Sequence, residues 1–115
     1  RSMAMLIETV RGMVAADAGQ RLGLCPDPTN QLLQFPDSDP LAELDALPLD
    51  MIKIVHFKQL RGGETHPSVD EGDLDCLKMR DILDAKGYNG AAIMEIPSDD
   101  QVFENLESSF QYLSS

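Results

Sequence analysis

Three short apolar segments, each ending in a residue able to bind a metal ion, constrain this chain more than any other feature. They are Leu22-Gly23-Leu24-Cys25-Pro26-Asp27, Ile52-Lys53-Ile54-Val55-His56 and Ala92-Ile93-Met94-Glu95. Asp27, His56 and Glu95 lie 29 and 39 positions apart along the chain. One strand–helix–strand repeat takes about 30 residues or more. The spacing therefore fits one ligand per successive parallel strand, all at the same end of a sheet. That end is where α/β folds place their active sites.

The stretches between these segments read as helices. Leu6, Val10, Met13, Val14 and Asp17 follow helical spacing, and Gly19 is placed to end that helix. Strands are expected near 21–25, 52–58 and 91–96, with Pro26 and Pro28 stopping regular pairing after the first. Residues 34–40 read as a loop, and 41–47 as a helix with Leu41, Leu44 and Leu47 on one side. A long loop over 60–74 follows the second strand, with Gly62-Gly63 and Gly72 as breakers. Asp75 is placed to cap a helix whose buried stripe is Leu77, Ile82 and Leu83, and Gly87 to end it. After the third strand, Ser98-Asp99-Asp100-Gln101 has the form of a capping box. Val102, Phe103, Leu106, Phe110 and Leu113 then make a helical stripe. No strand is expected to enter a tight hairpin turn. The fold class expected is α/β, in one domain over 1–115: a helix, then three parallel strand–helix units.

Charge narrows the partners. The formal net charge is −11 over 115 residues. That repels a phosphate backbone and an anionic membrane surface, so neither nucleic acid nor membrane is expected as a partner. A cation is the small partner such a charge favours. No apolar run approaches the roughly 20 residues needed to cross a bilayer, and no signal peptide is visible. Cys25 and Cys76 are the only cysteines. They are read as free thiols, which fits a cytoplasmic, reducing compartment.

Each candidate residue has a plainer reading beside the chemical one. His56 interrupts an apolar run, as a hydrogen-bonded core histidine also would. Two carboxylates at equivalent strand ends favour the ligand reading, because an imidazole with carboxylates suits Mn²⁺, Mg²⁺, Co²⁺ or Zn²⁺. Glu95 follows an apolar strand, and a buried carboxylate without a partner costs several kcal/mol. It is either a metal ligand and proton acceptor, or one half of a salt bridge to Lys58 or Arg61. Asp27 sits between two prolines, where a turn residue is common. Asn30 is a substrate contact, a ligand-orienting group, or a turn or cap residue. Lys58 can stabilise negative charge developing on a substrate oxygen, or be salt-bridged. His66 opens an acidic loop reaching Asp75, either a solvated loop or a lid that brings His66 to the substrate.

These residues resemble the C-terminal half of the xylose isomerase-like TIM barrels, over about residues 20–113. The matching pieces are Leu24-Cys25-Pro26-Asp27-Pro28-Thr29-Asn30, His56-Phe57-Lys58, Pro67 with Glu71-Gly72-Asp73-Leu74-Asp75, Gly87-Tyr88-Asn89-Gly90, and Glu95. In this chain Asp70 stands where the family usually has Gly, Gln59 where many members have Asp, and Asn30 where His is common. The superfamily holds sugar and sugar-phosphate isomerases and epimerases, inosose dehydratases, and nucleases of the endonuclease IV type.

The resemblance implies a partial (β/α)8 barrel carrying strands six to eight, since a full barrel takes about 250 residues. It implies a divalent metal at Asp27, His56 and Glu95. A sugar or sugar phosphate would be isomerised or epimerised through an enediolate, with Glu95 and Lys58 as catalytic residues. The family's first metal ligand, a Glu ending strand five, has no counterpart here. Glu8 lies only 19 positions before Asp27 and belongs to the first helix. Two rival expectations stand beside this one. The chain is a non-catalytic module that forms homo-oligomers through exposed sheet edges, or it belongs to the nuclease branch, which uses more histidines than His56 and His66.

Overall fold

Local chemistry explains most of the helices. The computed structural model describes residues 3–16 and 22–115. Helix α1 spans Met3–Ala16, and Glu8 is exposed on it. The expected roles of Asp17, Gly19 and Arg21 lie outside the described residues. Helix α2, Pro28–Gln34, begins at an Asp-Pro step: Asp27 accepts a hydrogen bond from the Asn30 amide, and Pro28 takes the first turn. Proline suits that position because its missing N–H has no helical partner there. Helix α3, Pro40–Ala46, repeats the device with Asp39 and Pro40. Helix α4, Cys76–Lys86, is capped by Asp75 and stopped by Gly87 in the left-handed region, both as expected. The sequence reading passed over α2, although Asp-Pro signals a helix start.

The sheet is smaller than expected. Strand β1, Ile54–Phe57, pairs in parallel with β4, Ala91–Met94, matching His56 to Ile93. The expected first strand reduces to one parallel bridge, Leu24 to Ile52. Hydrogen bonds Leu24 N to Met51 O, Lys53 N to Leu24 O and His56 N to Pro26 O extend that contact. Pro26 has no N–H to donate, and Pro28 turns the chain into α2, so the ladder stops there. Two parallel strands and a bridge therefore replace the three strand–helix units. The order across the sheet is still the Leu24 segment, β1, then β4.

The segment after β1 departs further from expectation. Strands β2, Gln59–Arg61, and β3, Glu64–His66, form an antiparallel hairpin where a plain loop was expected. Gly62 at φ 62° and Gly63 at φ 79° make its two-residue turn. Consecutive positive φ values match the twist of a tight hairpin, and glycine adopts them without steric cost. The Asp73 carboxylate accepts from both glycine amides, at 3.0 and 2.7 Å.

One face of β1 is packed and the other is open. Val55 and Phe57 are buried with Leu44 of α3, Leu47 just after it, and Met79 and Leu83 of α4. Ile54 and His56 point the other way and are only half buried. Helix α5 spans Val102–Leu113, but Gln101 caps it without a side-chain bond. Asp99 accepts from the Gln101 amide instead, so the expected box from Ser98 does not form. The buried side of α5 also differs from the expected stripe. Ser109 is fully buried, while Phe103 and Phe110 are 79% and 65% exposed. Ser109 Oγ accepts from Val69 N at 2.7 Å, which turns the Val102–Leu106–Ser109–Leu113 side inward. The two phenylalanines are left on the neighbouring side.

Candidate metal centre

Parallel pairing brings the three strand ends together. Asp27 follows the Leu24 segment, His56 lies in β1, and Glu95 follows β4. The Glu95 amide donates to Phe57 O at 2.8 Å, which continues the β1–β4 ladder to the site. His56 Nδ1 lies 3.2 Å from Glu95 Oε2 and 3.7 Å from Asp27 Oδ2. One donor atom from each of the three residues lies within 4.8 Å of the others.

Lys58 and Asn30 complete a closed ring of polar side chains. Asn30 Nδ2 donates to Asp27 Oδ2 at 3.0 Å. Lys58 Nζ donates to Asn30 Oδ1 at 3.0 Å and lies 3.9 Å from Glu95 Oε1. The circuit therefore runs Asp27, Asn30, Lys58, Glu95, His56 and back to Asp27. The plainer reading of Glu95 is met in part, since it pairs with Lys58. Arg61 pairs with Asp70 instead.

Five of the six residues expected from sequence contribute to the ring's surroundings or belong to it in this way: Asp27, Asn30, His56, Lys58 and Glu95. His66 stands elsewhere, with Nε2 3.0 Å from Asp70 Oδ1. The Arg61 guanidinium and the Ser68 hydroxyl also donate to the Asp70 carboxylate. The acidic loop is thereby tied to the hairpin.

Two supporting residues escaped the sequence reading as site residues. Thr29 is buried, and its hydroxyl donates to the Lys58 carbonyl at 2.6 Å. Gln59 is fully buried. Its amide nitrogen donates to Asp70 O at 2.6 Å and Leu74 O at 2.8 Å, and its oxygen accepts from Leu60 N and Leu74 N. The one available signal was the departure at position 59 from the family's Asp. An amide, unlike a carboxylate, can donate to those two carbonyls.

The donor set fits a divalent cation. An imidazole nitrogen facing two carboxylate oxygens must carry a proton or share a cation with them, because bare lone pairs repel. Donors about 2.1 Å from one centre are at most about 4.2 Å apart, so small side-chain movements would close the set. Two carboxylates and one imidazole accept several divalent ions and select none of them. Cys25 lies beside the set, and its thiol is pushed up by burial and by the charges of Asp27 and Glu95. That disfavours a thiolate there. An apolar cleft lined by Leu24, Cys25, Pro26, Pro28 and Leu44 reaches the ring only through Asp27.

Parallel strands with polar residues gathered at their C-terminal ends and helices behind make this an α/β fold, compatible with a piece of a TIM barrel. The family model of the xylose isomerase-like TIM barrel matches residues 4–115, and the chain belongs to that family. No curated protein matches it at a significant level of similarity. No helix among the described residues is long and apolar enough to cross a membrane.

Proposed function

We propose that this chain carries part of a divalent-cation site for isomerising or epimerising a sugar or sugar phosphate. The convergence of Asp27, His56 and Glu95 supports this reading most strongly. A cation held by these three residues would polarise a carbonyl and acidify the neighbouring C–H. Glu95 presents one oxygen to His56 and the other to Lys58. In this reading Glu95 would both serve the cation and take a proton from substrate carbon. Return of that proton by Glu95 to the neighbouring carbon on the same face would give isomerisation, whereas epimerisation would need a second acid on the opposite face, with Glu95 as one of the pair. The Lys58 ammonium would hold the oxygen on which negative charge develops. Free thiols at Cys25 and Cys76 are compatible with a cytoplasmic protein.

Calorimetric titration with Mn²⁺ and with Mg²⁺ tests the cation part. Wild type should bind at least one ion, and His56→Ala should bind at least about tenfold more weakly. Equal weak binding by both proteins would sink the proposal.

A second reading is self-association. Ile93 on β4 is 43% exposed, and Phe103 and Phe110 lie bare on α5. The outer edge of β4 has no strand partner among the described residues. Unpaired edges and exposed apolar side chains favour association with another chain. Sedimentation over a concentration range should show a dimer or larger species. A folded monomer at every concentration would remove this reading.

A further inference from the structure

The loops beyond β1 and β4 carry groups of the kind that hold a phosphate at the open end of parallel strands. They include the Arg61 guanidinium, the His66 imidazole, the Ser68 hydroxyl and the consecutive N–H groups of Gly62 and Gly63. Each of these groups already meets a carboxylate of the chain. Asp70 Oδ1 lies 3.1 Å from Arg61 Nη2 and 3.0 Å from His66 Nε2, and Asp70 Oδ2 accepts from Ser68 Oγ at 3.0 Å. The rest of the Arg61 fork donates to Glu71 O. The Asp73 carboxylate covers the two glycine amides, with one oxygen to each. Beyond β4, Asp99 accepts from the Gln101 amide at the start of α5, and Glu104 stands in that helix's first turn. The cradle filled by Asp70 adjoins the ring, because Gln59, next to Lys58, binds the Asp70 carbonyl. The Lys58 ammonium itself is engaged by Asn30 and faces Glu95.

From these pairings we infer that the substrate is an uncharged sugar and not a sugar phosphate. The inference deepens the sugar reading proposed above and rests on it. A phosphate monoester carries about two negative charges near pH 7 and is held by charge-assisted hydrogen bonds. Here it would have to displace Asp70 or Asp73 from their donors, and the displaced carboxylate would remain beside it as a like charge. A sugar hydroxyl meets no such repulsion. It can donate to a carboxylate and accept from an ammonium.

The test is saturation-transfer NMR with Mg²⁺ present, using D-fructose and D-ribulose, each beside its terminal phosphate ester, together with calorimetry on inorganic phosphate. Wild type should bind at least one free sugar about tenfold more tightly than its ester, and inorganic phosphate should give no measurable heat. Asp70→Ser opens the Arg61–His66–Ser68 cradle and keeps the backbone carbonyl that Gln59 binds. It should bind inorganic phosphate at least about tenfold more tightly than wild type. Asp73→Ser opens the glycine amides and serves as the second variant if the first fails to fold. Asp37→Asn removes the same charge from an exposed turn elsewhere and should gain nothing. Equal or tighter binding of the esters by wild type would overturn the inference and leave the sugar reading standing. Phosphate binding no tighter in the folded variants than in wild type, or an equal gain by Asp37→Asn, would also overturn it. Binding of neither sugar nor ester would overturn the sugar reading and this inference together.

Discussion

His56 and Glu95 reach each other across two parallel strands, with Nδ1 and Oε2 3.2 Å apart. The contact follows from the register, which sets His56 opposite Ile93 and so leaves Glu95 one same-face step beyond. Glu95→Gln keeps the size of the side chain and removes its charge. The variant should bind Mn²⁺ about tenfold more weakly, a loss of about 1.4 kcal/mol. Its folding stability should change by less than about 1 kcal/mol, because partly exposed ion pairs contribute little. Calorimetry and urea denaturation measure the two effects separately.

Gln59 should matter to stability far more than its polarity suggests. Gln59→Leu fills a similar volume but strands the Leu74 N–H and the Asp70 and Leu74 carbonyls. Each buried group left unsatisfied costs about 1–3 kcal/mol, so a loss of about 2–4 kcal/mol is expected. Urea denaturation checks this. A loss below about 0.5 kcal/mol would show that the loop over 70–75 holds without it.

Cys76 gives an alkaline signature. Its thiol is pushed up to about 12, first by burial and then by the charges of Asp75 and Asp70. An unfolded thiol ionises near its ordinary value of 9.0. Below that value both states hold the proton and stability is unaffected. As pH rises from 9.0 toward 12, only the unfolded state releases its proton, so stability falls. Denaturation midpoints at pH 8 and 10 should differ more for wild type than for Cys76→Ala. In the native protein a thiol reagent at pH 8 should label exposed Cys25, more slowly than a free cysteine, and spare buried Cys76.

Two glycines should respond to alanine with opposite signs. Gly87 holds φ 78° at the end of α4 and has open space around a Cβ. Alanine there meets backbone strain alone, and a loss of about 1–2 kcal/mol is expected. Gly12 lies within α1, also with open space. Alanine there should stabilise the helix by about 0.5–1 kcal/mol. Melting temperatures of the two variants test the contrast.

Features governed by a few neighbouring residues were legible in the sequence. Asp75 and Gly87 bound α4 because a cap and a left-handed stop are local chemistry. Leu41, Leu44 and Leu47 are all buried, as helical spacing requires. The hairpin was legible too, since Gly62-Gly63 between short polar strands is a turn signal. A parallel crossover, which the alternation of segments implies, leaves no place for that antiparallel pairing. The first strand shrinks to a bridge because Pro26 has no amide to donate, although the apolar content of the segment suits a strand.

By itself, the sequence determined where Asp27, His56 and Glu95 fall: at the ends of apolar segments separated by helical stretches. Periodicity and caps act over one or two turns of chain, so they can be read one segment at a time. Only the tertiary structure decided that Asn30 ties Asp27 to Lys58, that buried Gln59 holds the acidic loop from within beside the surface contacts to Asp70, and that α5 buries Ser109 instead of its phenylalanines. Those outcomes depend on sheet register and on which partner satisfies a buried polar group. Both are settled between residues tens of positions apart, where no local preference reaches.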